Sequence, residues 1–312
     1  MSWVKENCLS FFQLFCIKVL KTGRIPQHVA FIMDGNRRYA KKNSVDTSAG
    51  HYKGFDKLSE VLKIFLKKCN DIITDNITGH YRGFDKLSQA VAWCLDLGIR
   101  EVTVYAFSIE NFKRSKEEVD GLMDLARDKF QRLMEEIDQI NEWGVRMHVA
   151  GRLSLLPEDL RRKVSKSMLA TRHNNKLRLN IAYAYTGRDE ISRAASHLVD
   201  GVQNSEILAE DIDDELVSKT LELGEPDLLV RTSGEVRLSD FMIWQVSNTV
   251  LYFTEALWPE FTIWNLLAAI IHFQRHAPPP KEAIRVSETK QQFLDKLESQ
   301  RWVQIEKLVT CS

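Results

Sequence analysis

Along the chain, short runs rich in β-branched and aromatic residues alternate with longer stretches whose apolar residues recur at helical spacing. After Pro26, HVAFIMD (28–34) predicts a short buried strand, and GNRRYAKK behind it starts a helix. EVTVYAFS (101–108) predicts a second buried strand. EEVDGLMDLARDKFQRLMEEIDQINEW predicts one long amphipathic helix, and GVRMHVAG a third strand. PEDLRRKVSKSMLATRHN reads as helix, LRLNIAYAYTG as strand, GRDEISRAASHLVDGV as helix, and PDLLVRTSG and TVLYFTEALWP as the fifth and sixth strands. Strands alternating with helices predict an α/β fold with a mostly parallel sheet covered on both faces. In such sheets the chemistry gathers at the carboxyl ends of the strands. Asp34, FSIEN and RTSGEVR all fall there.

One repeat interrupts the alternation. GHYKGFDKLS begins at Gly50 and GHYRGFDKLS at Gly79, an offset of 29 residues (79 − 50) with a single difference, Lys53 against Arg82. The pair reads as a local duplication, or as two alternative segments joined in one chain. In the second copy, Leu87, Val91, Cys94 and Leu95 share one helical face and Gly98 is a C-cap candidate. The first copy carries Leu58, Val61, Leu62 and Phe65 and then turns polar, so it is expected to be an inserted helix with a linker.

The termini differ from the body. CLSFFQLFCIKVL (8–20) falls short of the roughly 18 apolar residues a membrane span needs, and it includes Lys18. It is expected to lie on a membrane surface or a partner, or to dock on its own domain. HAPPPKEAIRV opens a proline break followed by a charged helix. The expected organisation is an amphipathic membrane-associated helix at 1–23, a catalytic domain at 24–276 holding the duplicated segment 50–78/79–98, and a helical appendage at 277–312. Composition then narrows the partners. The chain has 43 Lys+Arg against 43 Asp+Glu, so no global field draws nucleic acid to it. Cys8, Cys16, Cys69, Cys94 and Cys311 show no paired or metal-ligand spacing, which fits a reduced, cytosol-facing protein.

Three clusters at strand ends carry candidate chemistry. The first is Asp34 with Gly35, Asn36, Arg37 and Arg38; the second, in FSIENFKRS, holds Ser108, Asn111 and Arg114. The third, RTSGEVRLS, holds Arg231, Ser233, Gly234, Glu235, Arg237 and Ser239. Arginine forks bind phosphate bidentately, and glycines let backbone N–H groups approach its oxygens. A single carboxylate suits Mg²⁺, which completes its shell with water and substrate phosphates. Taken singly, Asp34 could be a helix N-cap, Arg37 and Arg38 a solvated face, and His51 or His80 polar helix starts instead of phosphate donors.

Together HVAFIMDGNRRYAKK, the G-H-x-x-G turn, YAFSIENFKRS, PDLLVRTSGEVRLSDFMIWQ and LYFTEALWPEFT resemble the ordered sequence blocks of the cis-prenyltransferases. The resemblance implies a six-stranded, mostly parallel sheet flanked by helices, with an apolar tunnel for a growing chain. It implies that Asp34 is the catalytic, Mg²⁺-binding carboxylate, with Ser108 and Asn111 set between the two substrates. Gly35, Asn36, Arg37, Arg38, Arg114 and His51 or His80 would hold the allylic diphosphate; Arg231, Arg237 and Ser239 would hold isopentenyl diphosphate. The implied activity extends farnesyl diphosphate to a long polyprenyl diphosphate, the dolichol precursor for protein glycosylation. The expected location is the cytosolic face of the endoplasmic reticulum membrane, peripherally bound.

The chain also departs from the pattern. Single-subunit bacterial members carry a metal-supporting Glu where this sequence has Val250. The Arg-x-Gly ending of those members is absent from EKLVTCS. Both departures lead to the expectation of an accessory subunit resembling the Nogo-B receptor.

Overall fold

A computed structural model describes residues 9–36, 38–39, 85–279 and 286–310. The first copy of the repeat, Arg37, His51 and His80 lie outside the described residues. Six strands form one sheet: β1 (His28–Ile32), β2 (Glu101–Ser108), β3 (Val145–Ala150), β4 (Leu177–Tyr185), β5 (Leu228–Arg231) and β6 (Val250–Phe253). Their order is β3-β4-β2-β1-β5-β6, and every neighbouring pair runs parallel. The mostly parallel sheet expected is thus parallel throughout.

The strands read as near-continuous apolar runs because both faces are covered. Val29, Phe31, Val102, Val104, Leu179 and Ile181 pack into the larger core on one face. Ala30, Ile32, Ala182, Leu229 and Phe241 form a smaller cluster on the other. Helices α1 (Phe11–Leu20), α2 (Asp85–Leu97), α3 (Lys116–Glu135), α4 (Ile137–Glu142) and α5 (Glu158–Ala170) precede β4, apart from the interleaved strands. After β4 come α6 (Gly187–Gln203), α7 (Asp214–Thr220), α8 (Ile263–His276) and α9 (Glu288–Thr310). The second copy of the repeat forms α2, with Val91 and Cys94 fully buried. Gly98 ends it at φ +84°, and the Ile99 amide donates back to the Cys94 carbonyl at 2.9 Å.

Two expectations need correction. The long helix expected at 117–143 breaks at Glu136, whose φ of −110° and ψ of 16° separate α3 from α4. The break allows Ile140 to bury fully against the sheet. The expected strands five and six are also shorter than the runs that predicted them, and α8 forms in a stretch, 263–276, for which no element was expected. At the amino end, α1 packs on α8, with Ile17 buried and Ser10 closing a capping box. At the other end α9 lies on α5 and α7 and buries Phe293 and Leu297.

Candidate active site

β1 and β5 are neighbours in register, with Ile32 opposite Arg231. The next residues of each strand therefore emerge side by side at the carboxyl edge of the sheet. Thr232 ties the two exits together: its hydroxyl accepts from the Asp34 amide at 2.9 Å and donates to the Asp34 carbonyl at 2.8 Å. The Asp34 carboxylate is thereby held at the sheet edge. One oxygen, Oδ1, accepts from the Gly35 amide at 2.7 Å, and the other, Oδ2, accepts from Arg231 Nη2 at 2.9 Å. The Arg231 side chain is 2% exposed and the Asp34 side chain 40%. The arginine is thus anchored in the protein while the carboxylate reaches solvent. Among the described residues, the Asp34 side chain serves the adjacent Gly35 amide and Arg231.

Gly35 is required by its conformation and its neighbours. Its φ is +98°, and a Cβ there would lie 2.8 Å from Leu257 Cδ2 and 3.0 Å from Ser233 Cβ. Past β5 the chain turns through two left-handed residues, Ser233 (φ 78°) and Gly234 (φ 74°). For a non-glycine residue this costs roughly 1 kcal/mol or more. The turn is fixed by hydrogen bonds from the Ser233 amide to the Ala256 carbonyl and from the Gly234 amide to that of Thr254, both 2.9 Å.

Arginines surround the ion pair. Arg38 donates to the Ser233 carbonyl at 2.6 Å and meets Glu235 at 3.4 Å. Arg237 pairs with the other oxygen of the same Glu235. One carboxylate thus tethers two arginines that are 53% and 64% exposed. Arg231 also donates to Ser239 Oγ at 2.9 Å and to the Arg237 carbonyl. Ser108 and Asn111 cap the short helical turn after β2 reciprocally. The Asn111 carbonyl oxygen accepts from the Ser108 amide at 3.0 Å, and Ser108 Oγ from the Glu110 amide at 3.2 Å. Arg114 pairs with Glu118 at 2.7 Å.

These groups line one cavity of about 760 Å³. Asp34, Gly35, Asn36, Arg38, Ser108, Asn111, Arg114, Arg231, Arg237 and Ser239 all face it, joined by the apolar Met33, Phe107 and Leu122. Tyr105, Arg188 and Asp240, which are not among the residues expected from the sequence, also line it. Burial pushes the Tyr105 phenol up to about 12, so it stays protonated and donates to the Tyr185 and Ser239 carbonyls at 3.2 and 3.3 Å. Its place at the carboxyl end of β2, two residues past inward-facing Thr103, was the available signal.

A cavity lined by both arginines and apolar side chains, at the mouth of a parallel sheet, suits an amphipathic anion with a hydrocarbon tail. Comparison with known proteins agrees. The prenyltransferase family model described as undecaprenyl diphosphate synthase matches residues 32–74 and 70–278. The chain belongs to this family, the cis-prenyltransferases. The match breaks into two overlapping pieces inside the repeated stretch, and each piece takes in one copy. A human dehydrodolichyl diphosphate synthase complex subunit is 47% identical over 301 residues, covering 95% of this chain and 82% of that protein. A tritrans,polycis-undecaprenyl-diphosphate synthase of Thermococcus kodakarensis, described as geranylgeranyl-diphosphate specific, is 38% identical over 85% of this chain and 90% of its own. Among solved structures, lavandulyl diphosphate synthase from Lavandula x intermedia, in complex with dimethylallyl diphosphate, superposes with a TM-score of 0.65. It is 30% identical, over 80% of this chain and 95% of that one.

Proposed function

We propose that this chain is the catalytic subunit of a polyprenyl diphosphate synthase. It adds isopentenyl diphosphate units with cis geometry to farnesyl diphosphate and makes a long-chain dehydrodolichyl diphosphate, the dolichol precursor for protein glycosylation. The observation that carries this reading is the Asp34–Arg231 pair in a cavity lined by further arginines, Arg38, Arg114 and Arg237, and by the apolar Met33, Phe107 and Leu122.

Each residue then has a physical task. Gly35, Asn36 and Arg38 face the allylic diphosphate, with Arg37 and Arg114 as further cations; the leaving pyrophosphate gains charge as the allylic bond breaks, and donors held in place stabilise it. Arg231, Arg237 and Ser239 hold the isopentenyl diphosphate, so that its double bond lies against the allylic carbon. Ser108 and Asn111, locked to each other, lie between the two groups. His51 or His80 is assigned to the allylic diphosphate from the family resemblance alone.

The residues fit Mg²⁺. Asp34 brings a partly exposed carboxylate into the cavity, and no cluster of three or more carboxylate, imidazole or thiol groups able to cage an ion occurs among the described residues. That donor set matches an ion bound by one carboxylate together with substrate phosphates. Bound there, Mg²⁺ would neutralise diphosphate charge as a Lewis acid.

The relatives' names as complex subunits, together with Val250 at the start of β6, support an accessory subunit resembling the Nogo-B receptor. The exposed face of α1 supports a peripheral membrane location. Phe11, Phe12, Phe15 and Val19 are at least half exposed, and no helix among the described residues is long and apolar enough to cross a membrane. These exposed side chains support peripheral attachment through α1, with the cytosolic face of the endoplasmic reticulum as the proposed location. The test is incubation of the chain, co-expressed with its accessory subunit, with farnesyl diphosphate, labelled isopentenyl diphosphate and Mg²⁺. Long-chain labelled product supports a catalytic subunit. Its absence points to a scaffolding one.

A further inference from the structure

The segment behind Arg237 carries an unusual concentration of left-handed backbone. Ser239, Asp240 and Met242 have φ of 52°, 58° and 49°, and none is glycine. Such conformations persist only where surrounding contacts overdetermine them. Here the contacts come from the start of α6. The Gly187 amide donates to the Asp240 carbonyl at 2.6 Å. The Arg188 amide donates to Asp240 Oδ1 at 3.0 Å, and Arg188 Nε donates to Oδ2 at 2.9 Å. The approach leaves no room for a side chain: a Cβ at Gly187 would lie 2.8 Å from Ile243 Cγ1 and 3.1 Å from the Ile243 nitrogen. From the sheet side, Tyr105 donates to the Ser239 carbonyl at 3.3 Å and stacks on Phe241 with ring centres 4.5 Å apart.

We infer that Asp240 is a positioning residue. Its carboxylate, engaged through both oxygens by the first turn of α6, fixes the left-handed turn that sets Ser239 Oγ and the Arg237 carbonyl against Arg231. The Asp240 side chain is 14% exposed and that of Arg188 is 76% exposed. The ion pair between them is therefore worth less than the amide bond that accompanies it. The consequence is selective. Loosening this turn acts first on the Arg231–Arg237–Ser239 side of the cavity, while Arg38 keeps its bond to the Ser233 carbonyl and Gly35 its bond to Asp34. The inference rests on reading that side as the isopentenyl diphosphate subsite.

The test uses the full chain in its native complex, with Asp240→Ala, Asp240→Gly, Asp240→Asn and Arg231→Ala. KM is measured separately for isopentenyl diphosphate and for the allylic primer, alongside Tm. Asp240→Ala and Asp240→Gly are expected to raise KM for isopentenyl diphosphate about tenfold, equivalent to about 1.4 kcal/mol, with the primer KM within about twofold. Asp240→Asn keeps an oxygen for the Arg188 amide and is expected to stay within about threefold of wild type. Glycine accepts φ 58° freely, so Asp240→Gly should keep a near-normal Tm and separate positioning from folding. An unchanged KM in Asp240→Gly, or equal rises for both substrates, overturns the positioning role. If Arg231→Ala also leaves isopentenyl diphosphate binding unchanged, the assignment of the subsite itself falls.

Discussion

Arg231, on the carboxyl end of β5, donates to the Asp34 carboxylate at the end of β1 across 2.9 Å. The arginine is buried and the carboxylate is not. Arg231 keeps contacts to Ser239 and the Arg237 carbonyl, so it can share Asp34 with an incoming diphosphate without losing its own anchorage. Removing the arginine instead takes away the buried cation that Asp34 pairs with. Arg231→Ala is expected to reduce kcat/KM at least a hundredfold, about 3 kcal/mol. Steady-state kinetics with isopentenyl diphosphate as the varied substrate checks it.

Glu235 holds Arg38 and Arg237 together. Arg237→Ala should raise KM for isopentenyl diphosphate roughly tenfold, a loss typical of one charge-assisted contact. The primer KM should change little. Equal effects would mean that the two diphosphate sites are wrongly partitioned.

How far these features could be read in the sequence depended on the reach of the forces involved. The buried parallel strands were legible because covering both faces demands continuous apolar runs, and β2 was delimited at its true ends, Glu101 and Ser108. The cationic clusters were legible because they sit on those ends. The helix α8 was not, since IWNLLAAIIHF is apolar nearly throughout and shows little of the alternation of apolar and polar residues by which a helix is read. Asp240 and Arg188 were not legible either. They are distant in sequence, and the left-handed turn exists only because α6 docks on it.

The repeat gives a further expectation. Deleting 50–78 joins Ala49 to Gly79 and leaves α2, whose Val91 and Cys94 are buried, in place. Loop length is a weak thermodynamic lever, about 0.6 kcal/mol per doubling. Activity is expected to stay equal or rise. A deletion variant that fails to fold, judged by circular dichroism, would show that the first copy is structural.

The α1 surface predicts membrane affinity. Phe11 is 89% exposed and Phe15 55%. Phe11→Ser with Phe15→Ser should weaken co-sedimentation with phospholipid vesicles at least about tenfold, since each buried phenyl is worth about 1.5–3 kcal/mol. Unchanged binding would point to a different contact surface.

Acid stability follows from His148. Burial, and then Arg178, hold its pKa down at about 4 from the usual 6.5, with Glu222 opposing and Arg301 adding to the effect. A depressed folded-state pKa means the stabilising contribution is present above pH 6.5 and is lost as pH falls toward 4. The difference corresponds to about 3 kcal/mol. Buried His28, also held down by burial, acts in the same direction. Tm should fall across that window, and His148→Gln should flatten the fall.

The most direct measurement compares wild type with Asp34→Asn, each in its native complex, by incorporation of labelled isopentenyl diphosphate into polyprenyl diphosphate with Mg²⁺ present. The asparagine keeps one oxygen, enough for the Gly35 amide or for Arg231 but not both, and removes the charge; Tm is read alongside, and incorporation should fall at least about a hundredfold. Near-normal incorporation by Asp34→Asn would contradict the assignment of Asp34 as the catalytic carboxylate.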